Sequence, residues 1–296
     1  MGTGRTAVTM GLAAVLLFVG ACGSATSATG TPSLDGTPQS SIGTEPSIAA
    51  PEMSVPPNLP ATPASTLPPG ALTIATIGDS LTAGDCDDSG LGGYPGRLQA
   101  LIDPLRPGTR VSNLGHSGWT SGDLANVVND ETSEIAKAIA AHPNVALVWI
   151  GSNDLWALYE YGPEPMTAEA ESADLVDYEA NVDQILLQLT SHGATVFVAL
   201  LDDQSKRPTV ANPNPAEPAF PATTQADLAR MSAHIKAYNE LLRRKAIQYN
   251  GGTVDFSTTK IFTQAATLCD DGNHPNSAGY DRVAQIWFAA LQARLK

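Results

Sequence analysis

The chain has 296 residues, with 16 Lys and Arg against 30 Asp and Glu, and a formal net charge of −14. Binding along a nucleic-acid backbone needs a surplus of cations to displace counterions from the phosphates, so this balance speaks against nucleic acid as a partner, and against a polybasic membrane patch on the same ground. The length suffices for one large domain or two small ones, and the composition of the first 70 residues decides for one.

At the N-terminus, Arg5 is followed by an apolar run over 12–19. That run is too short to cross a bilayer as a permanent helix and has the length of the apolar part of a secretory signal. It closes on Val19-Gly20-Ala21-Cys22, which resembles a bacterial lipobox, with Val19 where that motif most often has Leu. The resemblance implies a signal peptide over 1–21 and a lipidated Cys22 as first mature residue, exported and held at the outer face of a membrane by its acyl chains alone. From 23 to 70, 36 of 48 residues are Gly, Ala, Ser, Thr or Pro, and none is aromatic, Lys or Arg. Such a stretch cannot bury enough apolar surface to offset the entropy of ordering it, so 22–70 reads as a disordered tether. As a flexible coil it reaches about 40 Å on average.

From 71 onwards strand and helix patterns alternate. Apolar, β-branched runs at 71–77, 110–113, 145–150, 195–201 and 252–256 read as strands buried on both faces. Helical patterns fall at 94–102, 123–141, 168–191, 225–249 and 277–295. The βαβα order predicts a three-layer, doubly wound α/β domain over 71–296 with a five-stranded parallel sheet. Residues 202–224 break the rhythm with prolines at 208, 213, 215, 218 and 221. A connection of that length following a strand belongs to the ligand-binding rim as a lid, or is a plain surface insertion.

Four short segments carry chemistry, each after a predicted strand or before the last helix. Gly78-Asp79-Ser80-Leu81 follows the first strand. There a glycine permits a sharp turn and a serine is exposed at a helix N-terminus, although Asp79 or Ser80 also suits a simple cap. Asp271-Gly272-Asn273-His274-Pro275 precedes the final helix. A carboxylate three residues before a histidine can fix its tautomer and leave the other ring nitrogen to accept a serine proton; a plain turn is the alternative. Asn113-Leu114-Gly115-His116-Ser117-Gly118 and Gly151-Ser152-Asn153-Asp154 follow the second and third strands. In a parallel sheet all these loops converge on one rim, where a glycine N–H and an asparagine amide are suitable donors to an oxyanion.

Together the four segments resemble the blocks of the SGNH (GDSL-type) hydrolases, and the resemblance covers 71–296. It implies a flavodoxin-like fold and an esterase or lipase with Ser80 as nucleophile, His274 as base and Asp271 orienting it. The oxyanion hole is then Ser80, Gly118 and Asn153, with no metal or organic cofactor; the expected tether and envelope location favour an acylated envelope glycan or lipid as substrate. A non-catalytic glycan- or lipid-binding lipoprotein and an acyltransferase on the same fold are the alternatives. With the loops brought together in this way, Cys86 and Cys269 are expected to form a disulfide in an oxidising compartment. Gly115-His116-Ser117-Gly118 superficially resembles the nucleophile elbow of α/β-hydrolases, but Trp119 stands where a second glycine is needed, so Ser117 is rejected. His116, His142, His192 and His234 have no metal-ligand spacing. Asp154 suits either an orienting or a turn role, and Trp119, Trp156 and Tyr159 suit either stacking on substrate or core packing.

Overall fold

The computed structural model describes residues 67–126, 132–211, 224–292 and 294–295. The expected signal peptide, Cys22 and nearly all of the tether lie outside the described residues. So does 212–223 of the proline-rich segment.

Five strands form one parallel sheet: β1 (Thr73–Gly78), β2 (Arg110–Gly115), β3 (Val145–Trp149), β4 (Thr195–Leu200) and β5 (Gly252–Asp255), in the order β2-β1-β3-β4-β5. Every residue of β3 is buried, and so are all but the first of β1 and β4, which is why they read as unbroken apolar runs. Strand order reverses between β1 and β3, and the crevice at such a switch point is where α/β sheets bind ligands.

Nine α-helices connect and flank the strands: α1 (Ser80–Ala83), α2 (Gly93–Ile102), α3 (Ser121–Asn126), α4 (Glu134–Ala140), α5 (Ser152–Tyr161), α6 (Ala168–Ser191), α7 (Pro208–Ala211), α8 (Gln225–Gln248) and α9 (Ser277–Gln292), counted among the described residues. α2 and α9 pack together on one face of the sheet, and α4, α6 and α8 cover the other. Under α2 and α9 lies an aromatic cluster in which Trp149 stacks on Phe256 with centroids 4.2 Å apart and Trp287 stacks on Tyr94 at 5.7 Å. All four rings are fully buried, so each contributes on the order of 2–3 kcal/mol of apolar burial.

Four expectations are corrected. The runs at 110–113 and 252–256, expected to be buried on both faces, form the edge strands β2 and β5 and are mostly half-buried or exposed. The single helix expected over 123–141 is two, α3 and α4, because Ser133 caps a new start with its hydroxyl accepting the Ala136 N–H. Helix α5 lies where the sequence reading placed a loop. The proline-rich segment begins not as a free loop but as a 3₁₀ turn over Gln204–Lys206 followed by α7, with Pro208 at the first helical position, where its missing N–H costs nothing.

Candidate active site

Gly78 ends β1, and its lack of a side chain is a matter of space: a Cβ there would lie 2.0 Å from the carbonyl oxygen of Trp149 on β3. Asp79 follows, fully buried, and caps α1 with Oδ1 accepting the Leu81 N–H at 3.0 Å. Its carbonyl accepts the N–H groups of Thr82 and Ala83. Ser80, the first residue of α1, therefore keeps the one N–H of that turn that Asp79 does not take. Burial raises the Asp79 carboxyl to about 7, against the Leu81 hydrogen bond and the charge of Arg207. Its second oxygen, Oδ2, makes no hydrogen bond among the described residues.

The turn from Cys269 to Asn276 is closed at its base by Leu268 and Pro275, which form an isolated antiparallel bridge, and by Cys269 N–H donating to His274 O at 2.9 Å. Inside it, Asp271 Oδ1 accepts the N–H groups of Asn273 and His274 at 2.9 and 3.0 Å, and Oδ2 lies 2.6 Å from His274 Nδ1. Desolvation pulls the Asp271 carboxyl up, but these hydrogen bonds outweigh it and hold the group below the usual carboxylate range. An ionised carboxylate only accepts, so the ring proton sits on Nδ1 and the lone pair on Nε2. Nε2 lies 3.0 Å from Ser80 Oγ. Cys86 and Cys269 are joined by a disulfide, Cα to Cα 6.4 Å, which ties the loop after α1 to the start of this turn.

The remaining two segments reach the same rim. After β2, His116 N–H donates to Gly78 O at 2.9 Å and fastens that loop to the end of β1. Gly118 sits at φ +82°, a left-handed conformation that favours glycine, with open space on the side where a Cβ would be. Asn153, in the first turn of α5, donates from Nδ2 to Trp119 O at 2.8 Å and so joins the loops after β2 and β3, keeping a second N–H on the same nitrogen. Asp154 makes the same connection again: its carboxylate accepts the Ser121 N–H at 2.9 Å and the Ser121 hydroxyl at 2.5 Å. Burial raises Asp154 to about 6 despite these bonds.

The side chains of other residues singled out in the sequence make contacts of their own. The Ser117 hydroxyl donates to Asp85 Oδ1 at 2.6 Å, and His234 pairs with Asp174 at 2.7 Å between α8 and α6. Trp119, Trp156 and Tyr159 are half-buried and pack against the core, Trp119 also stacking on His116 at 4.2 Å. Among the described residues no three His, Cys, Asp or Glu side chains are grouped to hold a metal ion.

Residues 76–282, which include Ser80, Gly118, Asn153, Asp271 and His274, match the model of the GDSL-like lipase/acylhydrolase family. The chain belongs to this family. As a GDSL-family protein it is similar to a multidomain esterase of Ruminococcus flavefaciens, 23% identical over 285 residues, covering 86% of this chain and 32% of that protein. It is also similar to an acetylxylan esterase of Xylanibacter ruminicola, 25% identical over 230 residues, covering 75% of this chain and 43% of that protein. The chain thus spans less than half the length of either relative. Among solved structures, an acetylxylan esterase from Geobacillus stearothermophilus shares the fold, with a TM-score of 0.52 and 22% identity over 76% of this chain and 95% of that one.

Two polar networks of this GDSL-family domain escaped the sequence reading. Arg97, buried in α2, pairs with Asp87 at 2.5 Å and Asp281 at 2.5 Å, while the Ser277 hydroxyl donates to Asp87 at 3.0 Å. This fastens the loop after α1 to the start of α9. Desolvation raises the Asp87 carboxyl, but hydrogen bonds from Arg97 and Ser89 lead those that bring it well below its ordinary range. The second surrounds Arg207, which pairs with Asp202 at 2.6 Å and donates to Asn273 Oδ1 at 2.6 Å. The one available signal for the first was a lone arginine amid the apolar positions of a short helix.

Proposed function

We propose that this protein is an exported serine esterase that hydrolyses carboxylic esters through an acyl-enzyme on Ser80, acting on acylated glycans of the cell envelope. The observation that carries the reading is the unbroken contact chain Asp271 Oδ2–His274 Nδ1, 2.6 Å, and His274 Nε2–Ser80 Oγ, 3.0 Å. As Ser80 Oγ attacks the ester carbonyl, its proton passes to Nε2, and Asp271 stabilises the imidazolium through Nδ1. The N–H groups of Ser80 and Gly118 and the second N–H of the Asn153 amide serve the tetrahedral oxyanion. Collapse expels the alcohol, which takes the proton from Nε2. Water, deprotonated by the same nitrogen, then attacks the acyl-serine; the carboxylic acid leaves and Ser80 regains its proton.

The glycan assignment draws on the similar acetylxylan esterase of Xylanibacter ruminicola, and the ester assignment also on the multidomain esterase of Ruminococcus flavefaciens. Export and attachment through Cys22 draw on the apolar run over 12–19 and the small residues before the cysteine. The test is turnover of p-nitrophenyl acetate, butyrate and octanoate, with acetate release from acetylated xylan, by the full chain and its Ser80→Ala variant. Ser80-dependent turnover that is fastest on acetate is the expected result. A profile rising toward octanoate, with no acetate freed from the polysaccharide, overturns the glycan assignment.

A further inference from the structure

The loop after β2 turns through His116-Ser117-Gly118-Trp119, where the Trp119 N–H donates to His116 O at 3.3 Å, and nothing is packed where Gly118 would carry a Cβ. With no side chain to anchor that residue, the direction of its N–H depends on how the two ends of the turn are held. One end is the His116 N–H, which donates to Gly78 O at 2.9 Å at the close of β1. The other end is held from the first turn of α5. Asn153 Nδ2 donates to Trp119 O at 2.8 Å. Just beyond, Ser121 donates its N–H to Asp154 Oδ2 at 2.9 Å and its hydroxyl to Asp154 Oδ1 at 2.5 Å.

Ser121 is fully buried, and its hydroxyl is used in both directions. Asn181 Nδ2 donates to the hydroxyl oxygen at 3.1 Å, so the single hydroxyl proton belongs to Asp154. Asn181 lies on α6, where Tyr178, three residues before it, donates its hydroxyl to Ile150 O at 2.9 Å beyond the end of β3. Residues three apart share a helix face, so one face of α6 backs the loops after β2 and β3 together. A carboxylate near a developing oxyanion opposes its charge, so the place of Asp154 beside Asn153 is explained by what it holds and not by its charge. We propose that Asp154 and Ser121 are positioning residues: their paired hydrogen bonds fix the downstream end of the turn over 116–119 and so the direction of the Gly118 N–H toward the oxyanion. Asn153 does not suffice for this, because the amide that holds Trp119 O must also meet the oxyanion with its second N–H. Asp154 has no such second duty, so the turn stays fixed while charge develops on the substrate, as preorganised stabilisation requires.

This role rests on Ser80 being the nucleophile and Gly118 an oxyanion donor, and the experiment separates the two. kcat and KM on p-nitrophenyl acetate, and the inhibition constant of a trifluoromethyl ketone, are measured for the full chain and for Ser80→Ala, Asp154→Ala, Asp154→Asn and Ser121→Ala, with thermal melting of each. Ser80 Oγ adds to the ketone carbon, its proton passes to His274, and the carbonyl oxygen becomes a standing oxyanion. Asp154→Ala should lower kcat and weaken the ketone about tenfold, less than the loss on deleting a donor outright, with KM unchanged within about twofold. Asp154→Asn can accept the Ser121 N–H with its oxygen and donate to the hydroxyl from its NH₂, so kcat should stay within about threefold of wild type. Ser121→Ala keeps the backbone bond alone and should fall between the two. Wild-type kcat and ketone affinity in folded Asp154→Ala, or in Ser121→Ala where Asp154→Ala does not fold, overturns the positioning role and leaves Ser80 in place. So does a loss carried by KM, or a loss in Asp154→Asn greater than that in Ser121→Ala. Turnover and ketone affinity that survive Ser80→Ala overturn the nucleophile and this role with it.

Discussion

Ser80 and His274 stand 194 residues apart in the chain and 3.0 Å apart in space. Each lies in a short run that alone also suits a helix cap or a turn, and both were legible because four such runs stand together, each after a strand or before the last helix. Replacing Ser80 by alanine removes the proposed nucleophile from a half-buried position, so turnover should fall by about 10³-fold or more, with melting nearly unchanged. Their neighbour Asp79 makes a different prediction. Its carboxyl, raised by burial from 3.8 to about 7, keeps in the folded state a proton that the unfolded chain releases above pH 4. The folded state then binds more protons than the unfolded one, so this group's effect on stability worsens as pH rises from about 4 to about 7 and is constant beyond. Asp79→Asn retains an oxygen for the Leu81 N–H and carries no charge. Its unfolding free energy should match the wild type near pH 4 and exceed it at pH 8 by on the order of a few kcal/mol, with a higher melting temperature there. Equal melting of the two proteins at pH 8 contradicts the raised carboxyl. Asp202, Arg207 and Asn273 were not legible. Nothing in Asp202 or Arg207 alone distinguishes it from a solvated charge, and only the fold brings the pair under the catalytic turn.

At the scale of elements, the five strands were readable within one or two residues; β1, β3 and β4 are buried on both faces and are written as continuous apolar runs, whereas the edge strands β2 and β5 are mostly half-buried or exposed. The failures were helical. In α5 the residues of the Gly151-Ser152-Asn153-Asp154 motif were read for chemistry, which hid that Asp154 in the first turn, Leu155 and Trp156 with Tyr159, and Gly162 at the end also spell a helix. The expected helix over 123–141 ran through Thr132-Ser133, a start signal overridden by the apolar pattern on either side. The disulfide between Cys86 and Cys269 acts at this scale, since it links the loop after α1 to the turn that precedes α9. Closing so long a loop restricts the unfolded chain, so reducing the bond, or replacing both cysteines by alanine, should remove about 2–4 kcal/mol. Because Cys269 also donates its N–H to His274 O, turnover should fall as the turn loosens. Calorimetry with and without reductant checks the first effect, and kcat of the double-alanine variant checks the second; an unchanged melting temperature on reduction rejects the bracing role.

For the whole molecule, the described residues bring Ser80, Asp271 and His274 into contact and carry the segments of Gly118 and Asn153 to the same rim, whereas in the proposed function Cys22 and a tether over 22–70 serve attachment. Among the described residues no helix is long and apolar enough to cross a membrane, and the net charge of −14 gives no polybasic route to an anionic bilayer. Membrane attachment in the proposed function therefore depends on acylation at Cys22, and several acyl chains on one residue suffice for stable anchoring. In the proposed function, a tether with the average reach of a flexible coil, about 40 Å, lets the enzyme work among wall polymers while remaining attached. The full chain expressed in a bacterium that processes lipoproteins should enter the detergent phase of a Triton X-114 partition, and Cys22→Ala should remain in the aqueous phase. Since no residue of the Ser80–His274–Asp271 chain contacts the anchor in this scheme, the released variant should hydrolyse p-nitrophenyl acetate at the wild-type rate. Its activity against insoluble envelope material should fall, because detachment removes the local concentration that the tether maintains. Aqueous partitioning of the full chain would refute the lipid anchor; equal action of both forms on envelope material would retain the anchor and remove its proposed purpose.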